Sequence, residues 1–130
     1  MREIKFRAWD KEKRIMWGVS SINFDVEEIT NGGDILSFPD VELTQYTGLK
    51  DKNGVEIYEG DALTNGDMTR TVIWREEDSQ IQLSVNDDNY ETRIKLTQQL
   101  INIFGLTVCG NIYANPELLK ESGDYERHNH

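Results

Sequence analysis

The stretch YTGLKDKNGVEIYEGDAL, residues 46–63, decides the fold. Upstream, Val41, Leu43, Gln45 and Thr47 alternate with Glu42, Thr44, Tyr46 and Gly48, and the β-branched and aromatic members favour a pleated surface. Asp51-Lys52-Asn53-Gly54 then reads as a hairpin loop. Gly54 supplies the positive φ that a type I turn with a bulge requires. Ile57 and Tyr58 return as a strand, Gly60-Asp61 bends the chain, and Ala62-Leu63-Thr64 starts the next one. Gly60 is a second turn glycine, and Tyr58 and Leu63 are candidate core residues.

The same alternation extends in both directions. Ile4, Phe6 and Ala8 alternate with Lys5, Arg7 and Trp9, and the polar run Asp10 to Arg14 turns the chain. Ile15 to Phe24 carries Met16, Trp17, Val19 and Ile22, so the first two dozen residues are expected to form a β-ribbon. Asn31-Gly32-Gly33-Asp34 is a turn and Phe38-Pro39-Asp40 a corner. Asn65-Gly66-Asp67 is another tight turn. Thr71 to Arg75 and Ile81 to Val85 are expected to pair across Glu76 to Ser79, and Val108 to Tyr113 reads as a last strand.

Leu96, Leu100, Ile101, Ile103 and Phe104 fall near helical spacing with Thr97 as a cap, although strand remains an alternative for residues 96–104. Asn115-Pro116-Glu117 has the chemistry of a helix start, and Leu118 and Leu119 would pin that turn. These signals predict a mainly β fold, a small barrel with an N-terminal β-ribbon and a short C-terminal helix. The expected organisation is one domain over residues 1–121 and a disordered tail over 122–130.

The chain has 130 residues, and its three Trp, five Tyr and four Phe supply enough bulk for one core. A formal net charge of -10 repels phosphate backbones and anionic lipid, which disfavours general nucleic-acid binding. The charge is uneven. Arg2, Lys5, Arg7, Lys11, Lys13 and Arg14 crowd the N-terminus, and acidic residues dominate afterwards. No run approaches the ~18 apolar residues of a membrane span, and MREIKFRAWD lacks the apolar core of a signal peptide.

Three segments together carry a resemblance. MREIKFRAWD, YTGLKDKNGVEIYEGDAL and CGNIYANPELL, in that order, frame residues 1 to about 120, and the combination resembles the YopX family. The resemblance implies a phage or prophage origin, a β-rich fold with a small SH3-like barrel, and no established biochemical activity. The family usually has an aliphatic residue where Ala62 stands and commonly a β-branched one near Cys109. A cytoplasmic location in a bacterial host follows as an expectation.

The residues offer little chemistry. Asp51 to Glu56 superficially has the look of a calcium loop, but its glycine is fourth rather than sixth. Glu76-Glu77-Asp78 reads as a solvated hairpin tip. His128 and His130 are tail residues without a third ligand. Cys109 is the only cysteine, lacks a histidine base in the folded part, and is expected to be a small buried hydrophobe. Phosphate-cradling and dinucleotide motifs are absent from the sequence. No catalytic, cofactor-binding or metal residue is therefore assigned, and no cofactor or enzyme activity is expected.

Trp9, Trp17 and Trp74 could each be core or binding surface; Trp74 could face either side of its strand, with the core its expected place. The leading functional expectation is a non-enzymatic module that binds a protein partner or itself as a homo-oligomer. The alternative is a nucleic-acid-linked regulator. It would act either through the basic N-terminal ribbon, with Trp9 for stacking, or as an acidic DNA mimic.

Overall fold

Strand alternation and turn chemistry combine into twelve strands, one α-helix and one short 3-10 turn among the described residues. The computed structural model describes residues 3–75, 80–87 and 90–117. Arg2, the Glu76 to Ser79 loop, Leu118, Leu119, the expected tail and both histidines lie outside them. The chain divides into two compact units between Tyr46 and Thr47.

In the first unit, β1 (Phe6–Asp10) pairs antiparallel with β2 (Ile15–Gly18) on one side and β6 (Val41–Lys50) on the other. The register places Ala8 opposite both Trp17 and Leu43. The Asp10 to Arg14 turn forms because Asp10 Oδ1 accepts the N–H groups of Glu12 and Lys13, each at 3.0 Å. The expected ribbon is corrected beyond Gly18. β3 (Ser21–Asn23) leaves that sheet and joins β4 (Glu28–Thr30) and β5 (Ile35–Ser37) in a separate three-stranded sheet. Its pairing aligns Ile22, Ile29 and Leu36 on one face. That row packs with Ala8, Val41 and Leu43 into one apolar cluster, in which buried Ile29 and Val41 each contribute about 1.5 to 3 kcal/mol. Phe38–Asp40 forms the 3-10 turn that leads into β6.

The second unit begins where β6 runs on from Thr47. β7 (Glu56–Tyr58) neighbours β6, and the buried Thr47 hydroxyl donates to the Ile57 carbonyl at 2.7 Å. Gly54 adopts φ +87, as the hairpin reading requires. The next sheet curls through β8 (Asp61–Thr64), β9 (Thr69–Arg75), β10 (Gln80–Asp87) and β11 (Tyr90–Lys95). β12 (Thr107–Asn111) closes its other edge, giving the order β11-β10-β9-β8-β12. Every pairing in this sheet is antiparallel. The chain is thus mainly β.

The segment read as helix or strand is resolved as α1 (Gln98–Phe104). Thr97 caps it as expected, its side chain accepting the Leu100 N–H at 3.1 Å. Ile101 and Leu106 then seal a core with Ile57, Leu63, Val72, Leu83 and Leu96. Up to Glu117 the chain after β12 contains turns, so any helix grown from Asn115 falls outside the described residues. Asn115 Oδ1 faces back toward the Asn111 N–H at 3.5 Å.

Candidate functional site

Among the described residues three aspartates are buried, which is where carboxylate chemistry would have to begin. Each is instead held by backbone amides. Asp10 closes the first turn, as described above. Asp61 Oδ2 accepts the Tyr58 N–H at 2.8 Å, which folds the Glu59-Gly60 bend onto the start of β8.

Asp51 makes the longest-range set. Its Oδ1 accepts the N–H groups of Asn53 at 2.8 Å and Val55 at 2.9 Å, fixing the hairpin loop. Its Oδ2 accepts the Val108 N–H at 2.9 Å, which ties that loop to β12. Burial alone would raise the carboxyl pKa, but donation from the Val108, Val55, Asn53 and Gly54 amides outweighs it and holds the pKa below 3.8. A carboxylate kept ionised and saturated by amides is a bracket rather than an acid or base. Both oxygens point at the protein's own backbone, as a hairpin requires and a calcium loop does not. Among the described residues, no group of three or more His, Cys, Asp or Glu side chains is placed to hold a metal.

The aromatic candidates separate cleanly. Trp9 and Trp17 are each 7% exposed, and the Arg14 guanidinium lies over the Trp9 ring at 5.6 Å from its centroid. Trp74 is 44% exposed, which corrects its expected place in the core. It shares a face of β9 with buried Val72 and stands opposite the partly buried Ile81 of β10, which packs against the core. Cys109 is also corrected, from buried to exposed. The register shifts between Val108 and Gly110 opposite β8, and the bulged residue turns outward.

The basic ribbon is partly compensated within the first unit. Lys5 lies 3.6 Å from Glu3 and over the Tyr46 ring, while Lys11 lies 3.4 Å from Glu42 and donates to the Pro39 carbonyl. An open cleft of about 460 Å³ is lined by Asp10, Lys11, Glu12, Leu36, Pro39 and Asp40. Its buried carboxylate and its lysine are already engaged in those bonds.

Beside its charged groups, the described surface presents large apolar side chains. Ile4, Ile15, Phe24, Val26 and Ile35 are exposed in the first unit. Val55, Trp74, Ile94, Ile103 and Phe104 are exposed in the second. Sequence reasoning missed the pair Phe24 and Val26, whose one visible signal is a large apolar residue beside the acidic run 25–28 and another within it. No described helix is long and apolar enough to cross a membrane.

Comparison with known proteins agrees with the architecture. A crystal structure of protein EF1440 from Enterococcus faecalis matches with a TM-score of 0.63 and 29% identity, over 92% of this chain and 99% of that one. No curated protein matches. The family model described as YopX protein matches residues 5–120, a span that takes in the Asp51 bracket, both hairpin glycines and helix α1. The chain therefore belongs to the YopX family.

Proposed function

We propose that this protein is a non-enzymatic interaction module of phage or prophage origin, working in the cytoplasm of a bacterial host by binding a protein partner or further copies of itself. The observation that carries the reading is a division of labour among side chains. The buried carboxylates are spent on backbone amides, while large apolar residues such as Phe24 and Ile103 stand 71% and 69% exposed. Exposed apolar groups gathered at fixed positions mark interaction surfaces. The curled five-stranded sheet, read more finely, is the SH3-like barrel of the module, and both units act as one domain over residues 1–121.

Direct nucleic-acid binding is the weaker reading. Stacking needs an exposed ring, and Trp9 is covered by Arg14 within a ribbon whose Lys5 and Lys11 already face carboxylates.

Size-exclusion chromatography with light scattering, at low and high salt, tests the proposal together with affinity capture from bacterial lysate. A mass above the monomer or a specifically retained protein supports it. A monomer in every condition that retains nothing, or a measured turnover, removes it.

A further inference from the structure

We propose that the chain associates with a second copy head to tail, the acidic apolar tip at Phe24–Glu28 of one protomer docking on the basic apolar surface at the end of helix α1 of the next. The inference rests on the interaction-module reading and names its partner and its surfaces.

The tip is built to stand out. Asn23 Oδ1 accepts the N–H groups of Asp25 at 2.9 Å and Val26 at 3.3 Å, which locks the β3–β4 turn. Phe24 is left 71% exposed and Val26 57% exposed. The Phe24 ring meets Phe38 edge-on at 6.0 Å, and Phe38 N–H donates to the Glu27 carbonyl at 2.9 Å, so the tip has a fixed base. Its flanking charges, Asp25, Glu27 and Glu28, are all negative.

The second surface is equally braced. Gln98 Oε1 accepts the Lys50 N–H at 3.0 Å and Gln98 Nε2 donates to the Lys50 carbonyl at 2.7 Å. Lys52 N–H donates to the Leu106 carbonyl at 2.9 Å. These bonds clasp the Lys50–Val55 loop beside α1, where Ile103, Phe104 and Val55 are exposed. The exposed charges on this loop, Lys50 and Lys52, are positive.

Two facts choose a second copy as occupant. Among the described residues, Asp25, Glu27, Lys50 and Lys52 are in no ion pair, so each surface carries uncompensated charge of one sign beside exposed apolar area. A chain of net charge -10 also repels its own copies unless a basic surface meets an acidic one. The complementary halves lie on the same polypeptide. Because the surfaces differ, the contact is heterologous and grows into a ring or an open chain rather than closing as a two-fold dimer.

The test uses the full chain in sedimentation velocity. The variants are Asp25→Lys with Glu27→Lys for the tip, and Lys50→Glu with Lys52→Glu for the receiving surface. All substitute exposed side chains, and unchanged melting temperatures verify folding. Wild type is expected to gain mass with concentration and lose it at high salt. Each variant alone loses that gain, and the tip variant also repels itself less strongly through its reduced net charge.

The discriminating step mixes a Phe24→Asp tip variant with a Phe104→Asp receiving-surface variant. Each is monomeric alone, and together they form a 1:1 dimer through the one intact surface on each chain. Wild-type association that persists in all variants, or a mixture that stays monomeric, overturns this inference while leaving the interaction-module reading standing. A wild type that is monomeric throughout but captures a different protein also overturns it and supports that broader reading.

Discussion

Asp51 and Val108 lie 57 positions apart and are joined by a hydrogen bond of 2.9 Å from the Val108 N–H to Asp51 Oδ2. One side chain thereby fixes a hairpin loop and fastens it to the last described strand. Deleting it leaves three backbone donors without their acceptor inside the protein. Asp51→Ala is expected to cost about 3 kcal/mol or more in urea unfolding, and Asp51→Asn less, since the amide oxygen retains part of the acceptor set. A loss below about 1 kcal/mol for the alanine variant contradicts the bracket.

The same carboxylate predicts an acid limb. Its folded-state pKa is lowered from 3.8, so its stabilisation is fully present above that unfolded value. As pH falls below 3.8 and through the lower folded pKa, that contribution disappears. Thermal melting across acidic pH should therefore show a shallower decline for Asp51→Asn than for wild type. Parallel curves would mean that other carboxylates set the limb.

Gly54 and Gly60 separate backbone strain from steric clash. Both have φ near +90, at +87 and +89 respectively. A Cβ on Gly54 meets nothing within 4 Å, whereas one on Gly60 would lie 2.8 Å from the Tyr113 ring. Gly54→Ala should cost about 1 kcal/mol. Gly60→Ala should cost more, and the excess should shrink in a Tyr113→Ala background, as a double-mutant cycle would measure.

Thr97 offers a smaller effect of known type. Thr97→Ala should cost about 1 kcal/mol by removing the acceptor for the Leu100 N–H. Thr97→Asp should recover most of it, because aspartate caps as well as threonine does. Equal stability of all three proteins would argue against α1 as a docked helix.

The tryptophans give an optical check. Trp9→Ala and Trp17→Ala should each cost about 3 to 5 kcal/mol, whereas Trp74→Ala should cost about 1 kcal/mol or less. Trp74→Phe should also remove most of the fluorescence that iodide quenches in the monomer. Quenching retained in that variant would place another indole at the surface.

These residues also show what the sequence made legible. Period-2 alternation located β1 and β6 because each is long enough to display a period, and Gly54 announced the hairpin through its required φ. Thr97 and Leu100 to Phe104 held the helix in view. β4 and β5 escaped because strands of three residues, Glu28–Thr30 and Ile35–Ser37, are too short for alternation to register. Trp74 lies between Ile73 and Arg75 and could face either side of its strand, and nothing local in the sequence marks it as exposed. Cys109 was misplaced because one bulge inverts a face, and nothing local in the sequence marks it. The Asp51 bracket was half visible. Its spacing to Asn53 and Val55 is that of an aspartate turn, while the bond to Val108 depends on tertiary approach.

Head-to-tail association is tested most directly by the weight-average mass of the wild-type protein in a sedimentation series run at low and at high ionic strength. It predicts a mass that climbs as the protein is concentrated and retreats as screening shortens the reach of charge to about 8 Å or less. A single-chain mass at every concentration and ionic strength, in a protein that also captures nothing from lysate, would contradict it.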